Sequence, residues 1–331
     1  MIADADLEHG SAWTTGEDER YEALTADGWS LALYRYRGTG RPVVCGHGLA
    51  GSRWIFDVHA ECSIARALAA RGHDVWLVDL RGRGDSWPAG GPRDELQWSF
   101  DDFVERDLPA VCARVLEVTG ADDVAWIGTE MSGLAAYAAV ISGTAPLVRV
   151  VTMGSPVITP PDAQVPGVTT PYPERDGTRY GFSMVRAVGA RLAADRSELL
   201  ESSFRPIDTD WTVTARYFTH GVPDEATDLI DQFRDWVEHA TMRSRDHSVV
   251  WSERLDEFRV PVLVAVGAAD LQRPASAVRA TFAALGSPDK RLLVAGTEAG
   301  WPCEVGHDDL LAGLASPAHL YPVLDAFLAE G

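Results

Sequence analysis

Residues 122–139 read DDVAWIGTEMSGLAAYAA, and the way this stretch changes character decides the fold. The run up to Gly128 is short, apolar and bounded by acids, the pattern of a strand buried on both faces. From Met131 to Ile141 the residues become small and alternate no longer, which predicts a helix. A strand handing over to a helix within two or three residues makes a sharp corner, and Glu130 stands at it.

The same rhythm repeats on both sides. Downstream, LVRVVTMG (147–154) predicts another buried strand. Upstream, residues 99–119 predict a helix opened by Ser99, with Asp101 and Asp102 in its first turn, where negative charge suits the helix dipole. Before it come strand DVWLVDL (74–80), a helical stretch near 59–71 and the buried strand RPVVCG (41–46). YEALTAD (21–27) and WSLALYRYR (29–37) alternate around Asp27-Gly28, a hairpin signal. Residues 1–19 read as an acidic lead-in. The alternation breaks over 157–255, which opens with the loop-like TPPDAQVPG and TTPYPERDG and continues with DLIDQFRDWVEHA. It resumes with PVLVAVG (261–267), a helix near 275–285, KRLLVAG (290–296) and a last helix near 317–329. Alternating strands and helices predict an α/β fold, a mostly parallel sheet with helices on both faces. The core is expected over 20–156 and 256–331, with 157–255 as an inserted helical cap.

Composition narrows the function. The 331 residues are 46% hydrophobic and 24% charged, with a net charge of -20. That balance suits a globular domain. A polyanion is repelled by phosphate backbones and anionic lipid, so neither nucleic acid nor a membrane surface is an expected partner. No run reaches the roughly 18 apolar residues of a bilayer span, and a cytoplasmic location is expected. Cys45, Cys62, Cys112 and Cys303 have no metal-ligand spacing and read as reduced thiols. RGRGDS (81–86) lacks the Lys-Ser/Thr ending of a phosphate loop. No cofactor and no metal are expected.

Four features then fall in a telling order: His47-Gly48 after a buried strand, Gly128-Thr129-Glu130-Met131-Ser132-Gly133 at the corner, Asp270 in VGAADLQRP after a late strand, and His307 in VGHDDLL near the C-terminus. In this order the chain resembles the α/β-hydrolase superfamily over residues 20–156 and 256–330. The family sets a nucleophile in Gly-x-Ser-x-Gly on a strained strand-to-helix elbow, followed in sequence by an acid and a histidine. The resemblance implies that Glu130 holds the nucleophile's place, Asp270 the acid's and His307 the histidine's. It also implies an oxyanion hole from the N–H groups of Leu49 and Met131.

Glutamate in the serine's place changes the chemistry. Attack by a carboxylate on an ester would give a reactive anhydride, whereas attack at saturated carbon gives an alkyl-enzyme ester. Related epoxide hydrolases and dehalogenases use aspartate at this elbow, and glutamate reaches roughly 1.5 Å further. The dehalogenases' tryptophan after the nucleophile is absent here, because Met131 holds that position. The first reading is hydrolysis of a bulky hydrophobic electrophile of the epoxide type: Glu130 attacks, and His307, oriented by Asp270, activates water. The ring oxygen then needs an acid, for which Tyr172, Tyr180 and Tyr217 are candidates. The second is a cyclase, lyase or isomerase using Glu130 as a general base with a raised pKa. The third is an inactive binding module. Thr129 or Ser132 as a displaced nucleophile is a fourth, against which Ser132 reads as a small packing residue.

His47 reads as part of the turn or as a pocket residue. His59 and His73 read as exposed, and His220, His239 and His247 lack converging metal spacing. Trp54, Trp211, Trp236 and Trp251 are core or substrate contacts, and eleven tryptophans in all favour a flat, hydrophobic, polycyclic or aromatic substrate. A homodimer is left open.

Overall fold

The computed structural model describes residues 16–91, 97–158, 160, 175–176, 179–181, 189–193, 195, 200–201 and 203–330. Eight strands form the main sheet: β1 (Glu19–Leu24), β2 (Trp29–Tyr36), β3 (Pro42–Gly46), β4 (Asp74–Val78), β5 (Val124–Thr129), β6 (Leu147–Met153), β7 (Val262–Gly267) and β8 (Lys290–Ala295). Their spatial order is β1-β2-β4-β3-β5-β6-β7-β8, and a two-residue strand, Trp87–Pro88, adds to β2. β1 and β2 pair antiparallel across Gly28, whose φ of 89° only glycine adopts without strain. From β4 onward every pair is parallel. Strands β3, β4, β5 and β7 are buried along their whole length, as the unbroken apolar runs require.

Helices cover both faces. α1 (Ile64–Ala69) and α7 (Tyr321–Ala329) pack on one, with Ile64, Leu68, Leu324 and Phe327 fully buried against Val43, Cys45 and Val75. α2 (Leu108–Thr119) and α3 (Met131–Ser142) pack on the other with Trp76, Trp126 and Val264. The helix expected over 99–119 is one continuous rod with a π-helical turn at Phe103–Asp107. Pro109 lacks the N–H that an α-turn would use there, and the wider turn absorbs the loss. Ser99 and Asp102 cap its start reciprocally.

Between β6 and β7 the described residues include α4 (Trp211–Gly221) and α5 (Thr227–His239). α5 meets the core through an aromatic edge, Trp236 standing 4.7 Å from Phe100 between ring centroids, and Trp251, beyond the helix, meets the same ring at 5.6 Å. After β7 comes α6 (Ala275–Ala284). Because strands β3 to β8 run parallel, their carboxyl ends open on one edge of the sheet, the usual place for a site in such folds.

Candidate active site

The corner at 130 is as sharp as the sequence implies. Glu130 has φ 48° and ψ −114°, a conformation rare for a residue with a side chain. It is held on both sides: its N–H donates to the Met153 carbonyl at 2.8 Å, and its carbonyl accepts from Leu134 at 3.0 Å. Absent side chains make the corner fit. A Cβ on Gly128 would lie 2.5 Å from the Gly133 nitrogen, so helix α3 meets β5 only because both positions are glycine. Ser132 is buried and its hydroxyl accepts from Trp126 Nε1 at 3.1 Å, a packing role. The Thr129 hydroxyl donates to Met153 O at 3.4 Å.

The structure brings Glu130, Asp270 and His307 together. Asp270 follows β7 and accepts at Oδ2 from His307 Nδ1, 2.7 Å away. His307 Nε2 faces Glu130 Oε1 at 3.8 Å. Gly154, with φ 58°, leaves room for the ring: a Cβ there would lie 3.0 Å from His307 Cε1. Glu130 Oε2 lies over Gly48, where a Cβ would come within 2.6 Å. A cavity of about 140 Å³ adjoins, lined among others by Leu49, Glu130, Tyr217, Gln272, His307 and Asp308. Among the described residues, the N–H groups of Leu49 and Met131 have no hydrogen-bond partner.

Charge fills this space. Burial pushes the His307 imidazole down, but the carboxylates of Asp270, Asp308 and Glu130 outweigh it and raise the ring to about 9. Burial lifts Asp308 to about 6 against the pull of His307. Arg273 adds a second cation: its guanidinium donates to Glu130 Oε1. The turn carrying Arg273 is fixed by Asp270 Oδ1, which accepts the N–H groups of Gln272 at 2.9 Å and Arg273 at 2.7 Å. Asp270 thus orients the histidine with one oxygen and the arginine's turn with the other.

Other expected pocket residues fall elsewhere. His47 does not border this cavity: it is wholly buried, its Nε2 accepts from the Leu80 N–H at 3.1 Å, and burial lowers it to about 3, so it is a neutral strut of the turn. Trp236 is a core residue, with Nε1 donating to the Arg243 carbonyl at 2.7 Å. Trp211 packs with Phe218 and Leu192 in a small separate cluster, and Trp54 lies beneath the Arg53 guanidinium. Neither borders the cavity. Tyr217 does, half-buried, with desolvation the main cause of a pKa raised well above its ordinary value. Tyr172 lies outside the described residues, and Tyr180 is described only as backbone, paired with Glu225. His73 is nearly buried and meets Asp325 at 2.8 Å, contrary to the expectation of exposure. All four cysteines are free and buried. Among the described residues no group of three or more His, Cys, Asp or Glu is placed to hold a metal ion.

A family model for the alpha/beta hydrolase fold matches residues 41–299. The chain belongs to the α/β-hydrolase fold family. Among its relatives, this α/β-hydrolase is 34% identical to lipase lipl-1 of Caenorhabditis elegans over 133 residues, 35% of this chain and 33% of that protein. It is 26% identical to human lipase member N over 268 residues, 73% of this chain and 65% of that lipase. The match therefore spans about a third of lipl-1. The fold is similar to a putative aryl esterase from Burkholderia cenocepacia, with a TM-score of 0.60, 18% identity and coverage of 94% of this chain and 98% of that one. It is equally similar to a hydrolase from Pseudomonas aeruginosa, at a TM-score of 0.60 and 17% identity over 95% and 99% of the two chains.

Two site residues of this α/β-hydrolase escaped the sequence reading. Arg273 sits three places after Asp270, inside a segment singled out for its acid, and Asp308 directly follows His307. The signal for Arg273 was the short spacing from the acid, since a tight turn brings position three back over position one.

Proposed function

We propose that this α/β-hydrolase hydrolyses a hydrophobic electrophile at saturated carbon, epoxide-type, with Glu130 as a covalent nucleophile. One observation carries the reading: a carboxylate stands on the strained elbow at φ 48°, facing an imidazole that an aspartate locks from behind. Lipase and esterase relatives support hydrolysis in general. A glutamate at the elbow supports an alkyl rather than an acyl intermediate.

In the first step a Glu130 oxygen attacks a ring carbon. The C–O ring bond breaks, its electron pair stays on oxygen, and that oxygen takes a proton. Tyr217 and the His307 imidazolium are the proton sources bordering the cavity. In the second step water attacks the carbonyl carbon of the Glu130 ester and loses its proton to His307 Nε2. The ester bond then breaks, the departing alkoxide takes that proton from His307 and leaves as the diol, and the Glu130 acid passes water's second proton back to the donor of the first step, so the carboxylate returns carrying one oxygen from water. The N–H groups of Leu49 and Met131 are donors for negative oxygen at the elbow. Esterification also removes one of the charges that keep a proton on His307, so the ring becomes a base when the ester needs one. Residues 157–255 would cap the site and supply the apolar walls of the substrate pocket.

The test is intact-mass measurement of His307→Ala incubated with styrene oxide. A retained adduct mapped to Glu130, and one oxygen from labelled water in the wild-type carboxylate after turnover, are expected. Turnover without adduct or label would sink the covalent step. A second reading, a ligand-binding module, is favoured by the Arg273–Glu130 ion pair, which neutralises the would-be nucleophile. It predicts no turnover by wild type and undiminished binding by Glu130→Gln.

A further inference from the structure

We propose that Arg273 is a catalytic residue of this site, whose guanidinium stabilises the oxyanion formed on Glu130 Oε1 when the ester intermediate is hydrolysed. The inference rests on the covalent reading above and adds to it a division of labour between the two carboxylate oxygens.

The geometry separates those oxygens. Oε2 lies over Gly48, on the cavity wall. Oε1 is the oxygen that Arg273 Nη2 bonds, and it stands 3.8 Å from His307 Nε2. With Oε1 engaged by the guanidinium, Oε2 is the oxygen left to attack substrate, and Oε1 becomes the carbonyl oxygen of the ester. When water adds to that carbonyl carbon, the C=O electron pair moves onto Oε1, where a charged donor already points. The pair then returns, the bond from carbon to Oε2 breaks, and the diol departs with the proton released from His307. The gap between Oε1 and Nε2 is too long for a direct hydrogen bond, so Nε2 is not committed to the carboxylate and is left to take the proton of the attacking water.

Arg273 is not a surface side chain that happens to reach the carboxylate. Its Nη1 donates to the Gln272 carbonyl at 3.0 Å, and its backbone N–H is held by Asp270 at 2.7 Å. The pair is mostly withdrawn from water, with 22% of the arginine and 12% of the glutamate side chain exposed. A donor fixed in advance at the atom where charge develops is the arrangement that lowers a barrier, because nothing has to reorganise in the transition state. The guanidinium brings a full charge to that atom, a stronger donor than a neutral N–H group.

Rapid-quench intact-mass analysis with styrene oxide compares wild type, R273M and R273K. R273M is expected to alkylate Glu130 yet hydrolyse the ester about 100- to 1,000-fold more slowly, the loss typical of one oxyanion donor. The Glu130 adduct then accumulates in R273M, while R273K, which keeps a charge, restores part of the hydrolysis. Hydrolysis at the wild-type rate with no accumulated adduct in R273M would overturn the role, as would an equal loss of alkylation and hydrolysis in both variants, the mark of mere structural support. An adduct absent from every protein, His307→Ala included, would bring down the covalent reading itself and this inference with it.

Discussion

At position 130 a carboxylate meets one imidazole, one guanidinium and two further acids. The balance is readable through the ring. His307 is faced by Asp270 and Arg273 from the turn after β7, Glu130 from the elbow, Asp308 from its own loop and Tyr217 from α4. Replacing Glu130 with Gln removes one of the carboxylates that hold the ring's proton, so its pKa must drop from about 9. An NMR titration of the imidazole checks this, and an unmoved titration would mean that Glu130 does not act on the ring. Sequence order revealed Glu130, Asp270 and His307 because each sits just beyond a strand or at a fixed place in the chain. Asp308 was not legible, and Arg273 only through its spacing from Asp270: no periodicity marks a side chain that reaches a site from inside a turn.

Among the elements, Glu225 in the segment before α5 ties two loops together, pairing with Arg83 from the loop after β4 and accepting the backbone N–H of Ala50 beside Leu49. Arg83 and Glu225 have no exposed side-chain surface, and Glu225 also accepts the N–H of Ala50 at 2.6 Å, where φ is 49°. Replacing Glu225 with Ala leaves a charged guanidinium buried and an N–H orphaned, which should cost about 3–5 kcal/mol in urea unfolding. A loss below about 1 kcal/mol would show that the contact is dispensable. Most strands and helices could be read from apolar runs and alternation, since burial on both faces leaves a plain mark in the sequence. The π-turn could not, because one proline changes the winding locally without altering the apolar pattern. Nor could the destination of Trp236: an amphipathic helix announces that one face is apolar but not whether core or ligand covers it, and here Phe100 does.

For the molecule as a whole, pH is the sensitive variable. His307 is raised from an ordinary 6.5 to about 9, so its contribution is complete below 6.5 and lost as pH climbs through 9. By the size of the shift this is about 3 kcal/mol. Asp309, lifted chiefly by burial from an ordinary 3.8 to about 7, acts in the same sense over a lower range: its protonated form suits the fold, and that advantage is lost as pH climbs from 3.8 to 7. A net charge of -20 adds self-repulsion on the alkaline side. Melting temperature should therefore fall between pH 6.5 and 9 at fixed ionic strength, with His307→Gln flattening much of the slope. A curve that rises over that range would contradict the ionic site. No helix among the described residues is long and apolar enough to cross a membrane.

Asp270 gives one oxygen to the ring and the other to the turn behind it. An aspartate that only steers a histidine has that second oxygen to spare, and here it folds the chain so that the third residue on hangs above the elbow. Any side chain placed there inherits a seat over the Glu130 carboxylate, so on the proposed mechanism a single exchange at 273 would retune the chemistry while leaving the scaffold as it was. A substitution at 270, by contrast, disturbs base and cation together and cannot report on either alone.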